Sequence, residues 1–212
     1  MEHKKTIRYF FKMENLKKVM RYSGQSDVFK ETVSEHSQGV SIMAQKFMRD
    51  NKWGLNFKKV IELATHHDSC EVDMKKDYTA YEASKCKNYR EDKEKNERLT
   101  VERLDRKFGK PFKRVHNEFE EQKTREAKFV LALDKMQSSV HKFKCGYKHI
   151  DADNAAFTAT YCNDAVEAFP ELIPFYADLQ ALMKEQFIKT GHEWKDEYNI
   201  KPVSPWLDLG RV

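Results

Sequence analysis

Glycine and proline are scarce, 7 and 5 in 212 residues. A β-sandwich or barrel needs many more turn residues than that, so a turn-rich all-β design is excluded. The four cysteines (Cys70, Cys86, Cys145 and Cys162) form no CxxC pair. A chain with this much hydrophobic material needs no disulfide staples, so reduced thiols and a cytoplasmic location are expected. No apolar run approaches the ~20 residues needed to span a bilayer. The opening MEHKKTIRYFF passes from charge straight into an aromatic cluster, without a signal-peptide core. No membrane partner is expected. Also missing are the GxxxxGK[ST], GxGxxG and HExxH patterns, which removes the common phosphate-loop, dinucleotide and zinc-protease chemistries.

What is present is 40% hydrophobic and 34% charged residues, with 14 Phe and 9 Tyr: a globular protein with a heavily solvated surface. The net charge of +5 is mild. It suits phosphate-bearing ligands and is too small to indicate nucleic acid as a partner. Apolar residues recur at helical spacing nearly throughout. Helices are expected over residues 6–20, 34–49, from Asn56 as N-cap through His67, 112–119, from about Thr124, 153–168 and 171–189. Residues 75–97 are charge-dense and read as a loop or lid entering a helix that ends near Phe108. The expectation is one all-α domain of about seven to nine helices over residues 1–192, with an extended tail over 193–212 packing on it.

Four residues carry most of the chemistry. His36 falls on the apolar stripe of its helix, with Val33, Val40, Met43, Ala44 and Phe47; Asp134 falls on another with Ala127, Val130 and Leu131; and His67-Asp68 extend a third through Val60, Ile61 and Ala64. Alone, each has an ordinary structural explanation. Together, three helices push imidazole and carboxylate into one core, the donor set that holds a divalent transition metal and leaves positions open. Glu71 lies about one turn beyond the pair, placed to handle protons without being a ligand. His66 is ambiguous between ligand and supporting roles, while His116, His141, His149 and His192 lack partner spacing.

The stretches Glu31-Thr32-Val33-Ser34-Glu35-His36-Ser37, His67-Asp68-Ser69-Cys70-Glu71 and the run from Glu126 to Lys135 resemble the HD-domain phosphohydrolase superfamily, and within it the 5′-deoxynucleotidase group. The resemblance spans roughly residues 16–143. It implies His36, His67, Asp68 and Asp134 as ligands of one divalent metal (Co, Mn or Zn) and Glu71 as the catalytic Glu. It makes Arg21 the phosphate contact, and sets Tyr22 where the family has the Trp that meets the sugar. The family's Gly-Asp after the catalytic Glu is missing; Asp77, or failing that Asp73, takes the sugar 3′-hydroxyl role. The adjacent Lys75 and Lys76 can serve extra phosphates. The implied activity is hydrolysis of 2′-deoxynucleoside 5′-monophosphates to nucleoside and phosphate. Its nearest alternative is a deoxynucleoside triphosphate (such as dATP) triphosphohydrolase releasing triphosphate. A di-iron oxygenase of the same superfamily needs further histidines between His67 and Asp134, where only His116 lies. A silent nucleotide- or RNA-binding module conflicts with four metal-type ligands in one core. The expected partner is a small nucleotide substrate, and the expected assembly a homodimer or larger homo-oligomer.

Overall fold

Helix follows helix along the chain: α1 (Glu2–Met13), α2 (Val33–Asp50), α3 (Phe57–His66), α4 (Ala80–Lys85), α5 (Lys87–Phe108), α6 (Phe112–Glu121), α7 (Arg125–Cys145), α8 (Ala152–Thr160), α9 (Asn163–Glu167) and α10 (Ile173–Lys189). This computed structural model describes residues 2–23, 25–74, 78–109 and 111–201. Among them, eight of the helices have nine residues or more, and the fold is all-α.

The helices that build the site start from side-chain caps. Thr32 and Glu35 form a reciprocal capping box: Thr32 Oγ1 accepts from the Glu35 amide at 3.1 Å, and Glu35 Oε2 accepts from the Thr32 amide at 2.8 Å. This fixes the first turn of α2, from which His36 projects. Asn56 Oδ1 accepts from the Lys59 amide at 3.1 Å to open α3, the cap expected from the sequence. Thr124 Oγ1 does the same for α7 through the Ala127 amide at 3.2 Å.

α2, α3 and α7 pack on one another. Val40, Ala44, Val60, Ala64, Phe129 and Leu133 are buried where they meet. Gly39 lies so close to α7 that a Cβ there would come within 2.9 Å of Gln137 Cγ. On the other side of α7, the same core continues through Val166, Leu172, Met183 and Phe187 of the C-terminal segments. A smaller core, with Cys70, Val72, Val101, Leu104 and Phe112 buried and Tyr9, Met13 and Leu16 against it, ties α1 to α5 and α6.

Several expectations need correction. The first helix ends at Met13 and continues as a 3-10 turn (Glu14–Lys18), because Met20 and Arg21 leave it to pair with Glu31 and Thr32 in a two-residue antiparallel ladder. Its apolar positions Ile7, Phe10 and Phe11 are 47%, 58% and 70% exposed; Tyr9 and Met13 make the packed face instead. Residues 80–97 are largely helical rather than a loop, with Thr79 capping α4 through the Glu82 amide. The single helix expected over 153–168 is two, α8 and α9, interrupted at 161–162. Gly191, two residues past the end of α10, has the positive φ (85°) that suits glycine. In the tail, Trp194, Tyr198 and Ile200 pack on the main core; residues 202–212 lie outside the described residues.

Candidate functional site

α3 ends at His66, and the chain tightens into a 3-10 segment, His67–Asp73. In that geometry residues i and i+3 eclipse, which stacks Glu71 on the edge that carries Asp68. The turn beyond the metal-type pair is therefore 3-10, not the α-helical continuation expected.

His67 Nε2 lies 3.3 Å from His36 Nε2 and 3.9 Å from Asp134 Oδ1. His36 Nε2 lies 2.9 Å from Asp134 Oδ1, and Asp68 Oδ2 lies 3.5 and 3.4 Å from the two imidazole nitrogens. One donor atom each from His36, His67 and Asp134 falls within 4.8 Å of the others. Ligands about 2.1 Å from a shared ion stand about 3.0–3.4 Å apart, so these spacings fit one divalent metal.

The far side of each imidazole is also occupied. His67 Nδ1–H donates to the Ala64 carbonyl at 3.0 Å, and His36 Nδ1–H to Gln137 Oε1 at 2.6 Å. Gln137 is oriented in turn by donating Nε2–H to Glu31 Oε1 at 2.7 Å. Because a carboxylate only accepts, the Gln137 amide must face it with nitrogen and turn its oxygen to His36. Both rings thus keep Nε2 for the centre, where it can take a metal or, without one, a proton.

The charge field agrees. Burial by itself would lower the His67 pKa, but Asp68 and Asp134 outweigh it and lift it to about 9. Burial would likewise raise Asp68 and Asp134, yet the histidines, joined at Asp68 by Arg21, hold both carboxyls below their usual range. The centre is a strong point of attraction for a cation. Glu71 is different: burial first, then the repulsion of Asp68, pushes its carboxyl up to about 8.

Arg21 enters on the β-ladder opposite Glu31. Its Nη1 donates to Asp68 Oδ2 at 3.2 Å and its Nη2 to Ser138 Oγ at 3.1 Å. Tyr22 holds φ at +61°, an uncommon backbone state for a bulky residue, and its ring stacks on His141 (5.6 Å, 7° between planes). A cleft with a cavity volume of about 110 Å³ opens over the centre. Arg21, Tyr22, Asp68, Glu71 and Asp134 line it, along with Lys93 and Lys142. Tyr81, Phe157 and Tyr161 form an aromatic wall, with centroids 5.3 and 5.0 Å apart along the series. Among the other candidates, His66 turns to Ser69 Oγ (3.2 Å) and does not join the four donors. Asp73 pairs with Lys12, and Lys75, Lys76 and Asp77 lie outside the described residues.

Ser138, Lys142 and Tyr161 join the site without being expected there from sequence. Ser138 and Lys142 carried a usable signal, since they follow Asp134 at steps of four residues on one helix. Lys93 also lines the cleft, and it belongs to the charge-dense 75–97 stretch whose lysines are expected from sequence to meet phosphates.

The HD domain family model matches residues 13–172. The chain belongs to the HD domain family. No curated protein matches it. Solved structures with a similar fold include a predicted metal-dependent phosphohydrolase from Magnetospirillum magnetotacticum MS-1, with 21% identity and a TM-score of 0.68 over 88% of this chain and 93% of that one. Another is the PH0347 protein from Pyrococcus horikoshii OT3, with 18% identity and a TM-score of 0.62 over 83% and 99%. A third is an HD-domain phosphohydrolase from Listeria innocua, with 21% identity and a TM-score of 0.55 over 87% and 86%. The His-Asp pair of this HD domain is His67-Asp68, the centre of the cluster described above.

Proposed function

We propose that this HD domain is a metal-dependent phosphohydrolase that cleaves the 5′-phosphate ester of 2′-deoxynucleotides. The observation that carries it is the convergence of His36, His67, Asp68 and Asp134, with both Nδ1 atoms already committed, beneath a cleft that joins cations to aromatic rings. A divalent metal held by these four residues supplies Lewis acidity toward a phosphoryl oxygen and lowers the pKa of water at the site.

The remaining steps belong to the chain's own groups. Arg21, fixed by Asp68 and Ser138, offers a guanidinium to the phosphoryl oxygens as negative charge builds on them. Glu71, buried beside Asp68, is placed to give a proton to the sugar oxygen as water's oxygen bonds to phosphorus and the ester bond breaks. Tyr22 meets the sugar and the aromatic wall stacks the base, while burial of the centre excludes bulk water.

The monophosphate reaction, giving nucleoside and phosphate, needs only the metal centre, Arg21 and Glu71. Two further cations in the cleft, Lys93 and Lys142, favour a second reading, in which a deoxynucleoside triphosphate is cut at the same sugar ester and triphosphate leaves. Incubating the metal-loaded protein with ribo- and deoxynucleotides of one to three phosphates, and identifying the products, tests both. Nucleoside together with phosphate or triphosphate is expected. Phosphodiester or phosphoanhydride cleavage in place of either would overturn the reading.

A further inference from the structure

Lys142 is a buried cation that takes no part in the metal centre or in the proton transfer above. It follows Asp134 by eight residues and Ser138 by four, so the three side chains stand along one face of α7, about 6 Å apart in rise. Lys142 is only 6% exposed, yet it lines the cleft over the metal centre.

Its neighbours set it apart from the other two cations there. Arg21 has Asp68 at 3.2 Å and Glu31 at 3.7 Å, and Lys93 has Glu97 at 3.3 Å. Among the described residues no carboxylate lies within 4.0 Å of Lys142. Its Nζ donates to Thr158 Oγ1 at 3.3 Å, and it stands 5.6 Å from the centre of the Tyr22 ring, the ring that Arg21 Cζ approaches at 5.7 Å. Thr158 completes its own valence through Asn154 Oδ1 at 3.4 Å. Asp151, the acid that bears on Lys142 electrostatically, accepts the Asn154 amide at 2.7 Å as the cap of α8. Burial depresses the Lys142 pKa to about 8, against the pull of Asp151 and helped by Arg21.

An ammonium has three donors, and here one of them meets a hydroxyl. A buried, uncompensated charge is costly, and it is tolerated where a ligand brings the counter-charge. The open side of Lys142 is the cleft that receives the phosphate.

We propose that Lys142, with Thr158, forms an anion subsite for a second phosphate group of the substrate, so that a nucleoside polyphosphate binds with its first phosphate at Arg21 and the metal centre and its chain extending along α7. This rests on the phosphohydrolase reading for the position of the first phosphate. It turns the choice between mono- and triphosphate into a property of one side chain.

The test is calorimetric titration of the metal-loaded protein with inorganic phosphate and with tripolyphosphate, with Mn²⁺ in excess over the anion. Tripolyphosphate is expected to bind wild type at least about tenfold tighter, the size of one charge-assisted hydrogen bond. Lys142→Gln should remove that advantage and move phosphate affinity less than about twofold; Lys142→Arg should retain it. An advantage that survives in Lys142→Gln, or an equal loss for both anions, overturns the subsite, as does a wild type that binds the two alike. Nucleotide hydrolysis alongside such a result leaves the phosphohydrolase reading intact. Selective tripolyphosphate binding without hydrolysis of any nucleotide would keep the subsite and remove that reading.

Discussion

The two walls of the cleft are built differently. The α2–α3–α7 wall sets the metal-type donors among buried aliphatic and aromatic side chains, and both imidazoles are oriented by a second hydrogen bond. The facing wall, from the segment before α4, α4 itself and the first half of α5, contributes Tyr78, Tyr81 and Lys93 from a stretch whose surroundings are charged and largely exposed. Packing dictates the first wall, so a change there should disturb the metal. The second is held by polar contacts that can be exchanged, so a change there should alter which substrate is taken while leaving the metal in place.

The largest effect that would sharpen this contrast is at Asp68. Asp68→Ala should abolish hydrolysis and sharply reduce metal content, measured on one sample by mass spectrometry and product assay. Full metal occupancy in that variant would remove Asp68 from the ligand set. Glu71→Gln comes next. It should keep its metal and its thermal stability while kcat falls by about two to four orders of magnitude, the usual reach of acid–base catalysis; loss of metal would make Glu71 a ligand or a structural support.

Gln137 tests whether orientation behind the donors matters. Gln137→Leu removes the acceptor from His36 Nδ1, and metal affinity should drop about 10–100-fold in a competition titration. Gly39→Ala should move the same quantity in the same direction by less, because its methyl group would displace the Gln137 side chain without removing the amide. Unchanged affinity in Gln137→Leu would show that helix packing alone aims the ring.

The smallest effect belongs to the facing wall. Lys93→Met should lower kcat/KM by about tenfold or less, mainly through KM, with metal content unaltered. Metal loss in this variant would break the proposed division between the walls.

How far the sequence reveals this molecule follows the same division. His36, His67, Asp68 and Asp134 are legible because each interrupts or extends an apolar helical stripe, where a polar residue needs an explanation. The caps at Asn56 and Thr124 are legible for a similar reason: short polar side chains stand just before a periodic run. The buried Lys142 is not. It has the composition of an ordinary surface position, and only the fold shows that it lines the cleft. The packed face of α1 is not legible, because Ile7, Phe10 and Phe11 satisfy a helical period as well as Tyr9 and Met13 do, and periodicity does not say which face meets the core. The interruption at 161–162 carries no glycine or proline to announce it. The Arg21–Glu31–Gln137–His36 chain joins residues up to 116 positions apart through the β-ladder and α7, beyond any local pattern.

The most direct test of the metal-dependent reading is a titration of chelator-stripped wild-type protein with Mn²⁺, following nucleotide hydrolysis at each addition. The account predicts no activity in the stripped protein, a linear rise, and a break at about one equivalent per chain, as a single four-residue donor set requires. Activity that persists without metal, or that rises to a break at two equivalents, would contradict it.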